Sequence, residues 1–296
     1  MNTHPSSTTV AILGTGRMGL PMAKRLCQAG FKVHAWNRNR SKAEPLSELG
    51  AQVHDQAPDA VREADVVISM LENGPVVEQV LFELGTCQAM RPGTLVVDMA
   101  SIKPAEARDH AERLAAMGLR HIDAPVSGGT VAAEAGTLAI MAGGDAADLA
   151  RALPVLQHLG TTTHVGPHGA GQLAKLANQM IVGITIGAVS EALLMCAKGG
   201  ADMAKVREAI GGGFAQSRIL ELHGQRMVDR DFAPRARMTV QLKDMRNALD
   251  TAQGLGFSAP ITGLFEQLYA QAIDHGLSDL DHSGLFVELA RRNGLD

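Results

Sequence analysis

Val10-Ala11-Ile12-Leu13-Gly14-Thr15-Gly16-Arg17-Met18-Gly19-Leu20-Pro21-Met22-Ala23 is the stretch that decides the fold. Four apolar residues, three glycines spaced GxGxxG and the start of an Ala/Leu-rich segment read as strand, tight turn and helix. In such a unit the first glycine makes the turn. The second lets the backbone approach a pyrophosphate, and the third lets the helix pack on the strand. Amides at the helix start then attract phosphate charge. Three glycines alone are weak evidence, but in this setting they make a dinucleotide site the expectation, with Gly14, Gly16, Arg17 and Met18 as cofactor-binding candidates.

Outward from this unit, short β-branched runs alternate with longer segments of helical period, the pattern of a parallel sheet covered by helices. Strands are expected at Val10–Leu13, Lys32–Trp36, Val66–Met70, Thr94–Asp98, His121–Asp123 and Leu138–Met141. Helices are expected at Met18–Ala29, Val76–Leu84, Pro104–Met117 and Asp145–His158. Pro75 and Pro104 suit first turns, and Gly30 and Gly118 suit C-terminal caps. After Val165 the texture changes. Gly166-Pro167-His168-Gly169-Ala170-Gly171 reads as a hinge, followed by helical segments separated by Gly199-Gly200, Gly211-Gly212-Gly213 and Gly254-Leu255-Gly256. The expected architecture is α/β. An N-terminal Rossmann domain, a doubly wound and mostly parallel sheet, takes residues 1–168, and a C-terminal all-helical substrate and dimerisation domain takes 169–296. A helix from Gln172 to about Lys198 would run roughly 40 Å at 1.5 Å per residue.

Composition agrees with two ordinary domains. The 296 residues are 46% hydrophobic and 20% charged, with 27 Lys+Arg against 31 Asp+Glu and a net charge of −4. Disordered and disulfide-scaffold chains are poor fits, and mild acidity removes a dominant electrostatic route to nucleic acid or anionic lipid. Cys27, Cys87 and Cys196 are too scattered for a metal clip and read as buried thiols. Met1–Thr8 lacks the basic and apolar regions of a signal peptide and reads as a short disordered lead-in. Leu176–Ser190, bounded by Lys175 and Glu191, reads as too short and too polar to cross a bilayer. The expectation is a cytoplasmic enzyme with no nucleic-acid or membrane partner.

At the end of the second strand, where an acidic residue would hold the ribose 2′-hydroxyl of NAD, the chain has Asn37-Arg38 followed by Arg40, Ser41 and Lys42. A carboxylate would repel a 2′-phosphate, whereas this cluster attracts one. NADP is therefore the expected cofactor, with NAD as the alternative. Arg38 is expected against the adenine and 2′-phosphate, with Asn37 or Ser41 hydrogen-bonding that phosphate; Asn37 and Arg38, with Met70 and Leu71 at the end of the third strand, join the cofactor-binding candidates. The turn Asp123-Ala124-Pro125-Val126-Ser127-Gly128-Gly129 offers a hydroxyl and successive amides, an anion-sized nest suited to a substrate carboxylate. Downstream, Gln172, Lys175, Asn178 and Gln179 interrupt an apolar helix at spacings that share a face. Lys175 and Asn178 there suit an acid and its orienting amide. A lysine, with an ordinary pKa of about 10.4, is protonated at neutral pH and can donate a proton as a carbonyl is reduced. No metal site is expected, since Gly166 and Pro167 separate His164 from His168. Asp281-His282-Ser283 reads as a capping turn rather than a triad.

With these residues quoted, the chain resembles the β-hydroxyacid dehydrogenases over nearly its whole length. The marks are Gly14-x-Gly16-x-Met18-Gly19-x-Pro21-Met22, Asp123 to Gly129, Gly169-Ala170-Gly171-Gln172-x-x-Lys175-x-x-Asn178, and Lys243-Asp244. The resemblance implies hydride transfer between a nicotinamide and a short β-hydroxy acid, with Lys175 as general acid/base. It implies that Ser127, Gly128 and Gly129 hold the carboxylate and that Asn178 attends the reacting oxygen or its neighbour. Lys243 would lie on the cofactor-substrate side, and Ser101 would approach the nicotinamide ribose or ring. Gly211 to Ser217, Lys243 to Asp250 and Asp281 to Ser283 resemble the branch acting on tartronate semialdehyde. Dehydrogenases of 3-hydroxyisobutyrate, L-threonate or 4-hydroxybutyrate remain alternatives, as does a non-catalytic NADP-binding sensor. A homodimer or homotetramer is expected.

Overall fold

The computed structural model describes residues 8–295. Apart from Thr8, the lead-in expected over Met1–Thr8 lies outside them. The chain divides into two compact units, one ending at Lys175 and the other beginning at Leu176.

In chain order the first unit contains β1 (Thr9–Leu13), α1 (Gly19–Gln28), β2 (Lys32–Trp36), β3 (Gln52–His54), α2 (Ala57–Val61), β4 (Val66–Ser69), α3 (Gly74–Glu78) and β5 (Leu95–Asp98). It continues with α4 (Pro104–Ala116), β6 (Arg120–Asp123), β7 (Val126–Ser127), α5 (Gly129–Ala135), β8 (Leu138–Gly144), α6 (Ala146–Leu156), β9 (Gly160–Gly166) and the start of α7 (Ala170–Lys198). The strand order is β3-β2-β1-β4-β5-β6-β8-β7, with β9 paired to β8. Strands β1 to β6 run parallel, while β8 is antiparallel to β6 and β7 and parallel to β9.

Burial explains the parallel core. Val10 and Ile12 of β1 enter one apolar cluster with Val66, Ile68, Leu95 and Val97, whereas Ala11 and Leu13 enter a second with Val67 and Val96. Successive side chains face opposite ways, so both faces of the central strands are covered by helices. The chain runs outward from β1 through β2 and β3, then returns to place β4 on the other side of β1. This reversal opens a crevice beyond the carboxyl ends of β1 and β4, where ligands bind in such sheets.

Several elements escape the sequence reading. β3 and β7 are only three and two residues long. β9 is an exposed edge strand of consecutive threonines whose closing Gly166 reads as a hinge. The expected helix over Val76–Leu84 is instead α3, continued by a π-helical turn at Gln79–Glu83. Of the three cysteines only Cys87 is fully buried, where burial pushes its thiol up to about 12; Cys27 and Cys196 are partly exposed.

The second unit continues α7 and adds α8 (Met203–Gly211), α9 (Arg218–Asp229), α10 (Met238–Gly254), α11 (Pro260–Ala272) and α12 (Leu285–Arg292). Its core includes Ile186, Leu193, Met227, Met245, Tyr269 and Phe286. By length and composition alone, α7 is long and apolar enough to cross a bilayer, with 29 residues and a mean hydropathy of 2.0 over its most apolar 18-residue window. The reading of Leu176–Ser190 misses this because the helix continues through both bounding charges, Lys175 and Glu191. Ile186, Leu193 and Leu194 are nonetheless buried in the helical core, as in a core helix that passes the same test.

His121 on β6 is buried, and neither ring nitrogen has a hydrogen-bond partner. Burial holds its pKa down to about 3, with the adjacent His168 ring lowering it further. An unfolded histidine takes up its proton near pH 6.5. The folded pKa is depressed, so the unfolded state binds more protons between pH 6.5 and 3, and stability is lost as pH falls through that window. We expect His121→Leu to melt at neutral pH no lower than the parent, because both orphaned nitrogens are removed. Its melting temperature should also fall less on acidification; parallel melting curves with equal acid sensitivity would remove His121 as the cause.

Candidate active site

The phosphate turn is built by its neighbours. Gly14 N–H donates to the Trp36 carbonyl at 2.8 Å, and Thr15 N–H donates to Asn37 Oδ1 at 3.0 Å. Gly14 has φ +99°, and a Cβ there would lie 2.4 Å from the Met70 carbonyl oxygen, so only glycine fits. A Cβ on Gly16 would meet nothing within 4 Å. The backbone at Gly16 therefore faces open space at the head of α1, whose Met18 N-cap provides no side-chain hydrogen bond. This vacancy, with first-turn amides beside it, fits a dinucleotide pyrophosphate. Thr15, Gly16, Arg17, Lys24, Lys42 and Glu134 line an adjoining groove of about 580 Å3.

The basic cluster after β2 is not uniform. Arg40 is committed to Glu44 at 2.6 Å and Asp55 at 2.8 Å. Ser41 Oγ donates to Asn39 Oδ1, and Asn37 Nδ2 donates to the Asn39 carbonyl. Arg38 and Lys42 are exposed and form no ion pair among the described residues.

The segments following β4 and β5, with Met70, Leu71 and Ser101, are joined by Asp98. Its Oδ1 accepts from Ser69 Oγ at 2.8 Å and from Ala100 N–H at 3.1 Å. Its Oδ2 is buried without a partner, and burial pushes the carboxyl up to about 7. Ser127 closes β7 opposite Ala139, and Gly128 and Gly129 follow as exposed residues with φ +132° and +68°.

Asp123 opens that segment and also controls α7. Oδ1 accepts from Gly169 N–H at 2.8 Å and Oδ2 from Gln172 N–H at 2.9 Å. Gln172 is fully buried, and its carboxamide donates to the Ala100 carbonyl and accepts from Ile102 N–H. Lys175 follows three residues later and is partly exposed.

A separate cluster occupies the second unit. Asn178 Nδ2 donates to Gln179 Oε1 at 2.8 Å, and Gln179 Nε2 donates to Asp244 Oδ2 at 2.7 Å. Asp244 is buried and lies 3.0 Å from Lys243 Nζ. Asn178 and Lys243 are thus brought into one network through Gln179 and Asp244. Asp98, Asp123 and Asp244 are the carboxylates that sequence reasoning passed over. Asp98 and Asp123 each close an apolar strand, so the missed signal there was an acidic residue at the edge of an apolar run, whereas Asp244 stands inside α10 beside Lys243.

Elsewhere His223, Asp281 and His282 come together. Arg226 Nη1 already lies 3.1 Å from both His223 Nδ1 and Asp281 Oδ1, supplying the positive charge a cation would bring. Asp281 Oδ1 also accepts from Ser283 Oγ and N–H, forming a cap on the following turn. His164 and His168 each bind a backbone carbonyl, of Gly144 and His121 respectively.

Comparison with known proteins fits this geometry. Residues 9–166 match the NAD-binding domain of 6-phosphogluconate dehydrogenase, and residues 169–289 match the NAD-binding family of NADP-dependent 3-hydroxyisobutyrate dehydrogenase. The chain is 42% identical to 2-hydroxy-3-oxopropionate reductase of Escherichia coli, over 95% of this chain and 96% of that protein. It is 38% identical to 3-hydroxyisobutyrate dehydrogenase of Pseudomonas aeruginosa, covering 94% and 95% of the two. The solved structure of Mycobacterium tuberculosis 3-hydroxyisobutyrate dehydrogenase with L-serine superposes with a TM-score of 0.88 at 34% identity, covering 95% of this chain and 99% of that one. The chain therefore belongs to the 3-hydroxyisobutyrate dehydrogenase-like family of NAD(P)-dependent β-hydroxyacid dehydrogenases.

Proposed function

We propose that this enzyme reduces a short carboxylate-bearing semialdehyde with NADPH, and that tartronate semialdehyde (2-hydroxy-3-oxopropionate), giving glycerate, is its substrate. The observation carrying the substrate assignment is the 42% identity to a 2-hydroxy-3-oxopropionate reductase across almost the full length of both chains. Action on 3-hydroxyisobutyrate is the second reading, favoured by the 38% identity to a dehydrogenase of that acid.

The bound nicotinamide would supply the hydride. Ser127 Oγ and the amides of Gly128 and Gly129 hold the substrate carboxylate, the nest that their positive φ values favour. Lys175 Nζ gives its proton to the carbonyl oxygen as that oxygen becomes a hydroxyl, and Asn178 orients the same oxygen. Asn178 suits this task because its amide is anchored by Gln179. Lys243, held by Asp244, serves the cofactor side. In the reverse direction Lys175 must first be neutral to accept the proton.

For the cofactor, Gly14, Gly16, Arg17 and Met18 form the pyrophosphate turn, and Met70, Leu71 and Ser101 serve its nicotinamide half. Asn37 is occupied in holding Thr15, and Arg40 is held by two carboxylates. The 2′-phosphate therefore falls to Arg38, with Lys42 beside it. NAD remains the alternative cofactor. A homodimer or homotetramer assembles through the helical unit, where Ile181, Met195, Leu255, Phe257, Ile261 and Leu264 are exposed apolar side chains.

Three measurements test this reading. Initial rates of NADPH oxidation should be highest with tartronate semialdehyde in a panel with methylmalonate and succinic semialdehydes, and Lys175→Ala should lose roughly 10²- to 10⁴-fold in kcat while retaining NADPH. Full activity in that variant would assign the proton to another group. Arg38→Ala should raise KM for NADPH by about tenfold, the loss of one charge-assisted contact, with little change for NADH; an equal change for both cofactors would place the 2′-phosphate elsewhere. Light scattering should give at least twice the chain mass, and a monomer at micromolar concentration would reject assembly.

A further inference from the structure

The Ser101 segment and the helix bearing Lys175 lie far apart in sequence, and one buried side chain joins them. Gln172 stands on the first turn of α7 and is 0% exposed. Its Nε2 donates to the Ala100 carbonyl at 2.8 Å, and its Oε1 accepts from Ile102 N–H at 3.0 Å. The carboxamide thus grips the backbone on both sides of Ser101. Its own N–H is held by Asp123 Oδ2. A Cβ on neighbouring Gly171 would lie 2.4 Å from the Met141 carbonyl oxygen, so this turn sits against the strand ends with no slack.

Packing alone does not require an amide here. Asp123 already satisfies two amides at the α7 start, and a leucine would fill a similar volume, although it would strip the Ala100 carbonyl and Ile102 N–H of their Gln172 bonds. The two Gln172 bonds instead fix the height and rotation of the helix against one loop. Lys175, three residues on, rises about 4.5 Å along the axis from Gln172 at 1.5 Å per residue. We propose that Gln172 is a positioning residue, clamping the Ser101 backbone to α7 so that the Lys175 ammonium and the nicotinamide-side loop keep one fixed separation. The proposal rests on the reading of Lys175 as the proton carrier. Reactions of this kind lose about 10²-fold when a reacting group is misplaced by 1 Å, so kcat should report the clamp more sharply than binding does.

Gln172→Leu and Gln172→Glu, each also made with Lys175→Ala, test it by steady-state rates, NADPH affinity and melting temperature. Gln172→Leu should lower kcat roughly 10- to 100-fold, with KM for the semialdehyde and Kd for NADPH within about threefold. A carboxyl at this position accepts from Ile102 N–H but donates to the Ala100 carbonyl only when protonated. Activity of Gln172→Glu relative to the parent should therefore recover as pH falls from about 8 to about 6, since burial raises such a carboxyl. In the Lys175→Ala background Gln172→Leu should add less than about threefold further loss, because residues acting as a unit are non-additive. Parent-like kcat in Gln172→Leu, or kcat lost only in proportion to NADPH affinity and melting temperature, would overturn the proposal. An equal loss with and without Lys175 would also overturn it. A fully active Lys175→Ala would instead sink the proton-carrier reading on which it rests.

Discussion

A buried carboxylate at the start of a long helix is the constraint on which the candidate site depends. Asp123 is 0% exposed, and each of its oxygens receives a backbone N–H from the α7 entry. Burial pushes this carboxyl up, while the Gly169 and Gln172 amides oppose the shift. A negative charge at a helix N-terminus meets the positive end of the backbone dipole and supplies partners that the helix itself lacks. Because Asp123 also ends β6 and leads directly to Ser127, one residue ties the proposed carboxylate nest to the helix carrying Lys175. Sheet, loop and helix are thereby registered by these two hydrogen bonds together with the two that Gln172 makes to the Ala100 and Ile102 backbone.

The same economy governs the cofactor side. The ends of β1, β4 and β5 are three adjacent parallel strands, and their loops are cross-linked in series. Met70 N–H donates to the Leu13 carbonyl and Met99 N–H to the Ser69 carbonyl, while Asp98 binds both Ser69 and Ala100. Its second oxygen is orphaned, and burial pushes the carboxyl up to about 7. Such a group is expensive to bury. Its worth lies in fixing two loops, Met70-Leu71 and Ala100-Ser101, whose positions small residues alone would leave loose.

Much of this was legible in the sequence because periodicity reports burial. β1, β2, β4 and β5 are apolar runs covered on both faces, and they fall within a residue or so of the expected positions. Elements that bury little left no such trace, as with β3, β7 and the exposed threonines of β9. The glycine turn and the lysine helix were readable because their residue types are unusual where they stand. The bonding roles of Asp98, Asp123 and Gln172 were not, although the last two stand in recognisable motifs, since a polar residue at a strand end or helix start is ordinary until its partners are known. Those partners lie 46 and 49 residues away for Asp123 and 70 and 72 for Gln172, and no local pattern encodes that separation.

The basic cluster after β2 shows how counting charges misleads where geometry does not. Asn37, Arg38, Arg40 and Ser41 stand around Asn39 within five consecutive polar or cationic positions, and by composition any of them could meet a 2′-phosphate. Asn37 spends its oxygen on the glycine turn and its nitrogen on Asn39, Ser41 spends its hydroxyl on Asn39, and Arg40 is neutralised by Glu44 and Asp55. A guanidinium held by two carboxylates has little net field to offer an anion, and moving it would break both pairs. Arg38 forms no ion pair among the described residues, so under the proposed NADP reading the 2′-phosphate contact narrows to this exposed cation, with Lys42 in support. The other three side chains hold the loop in shape around it.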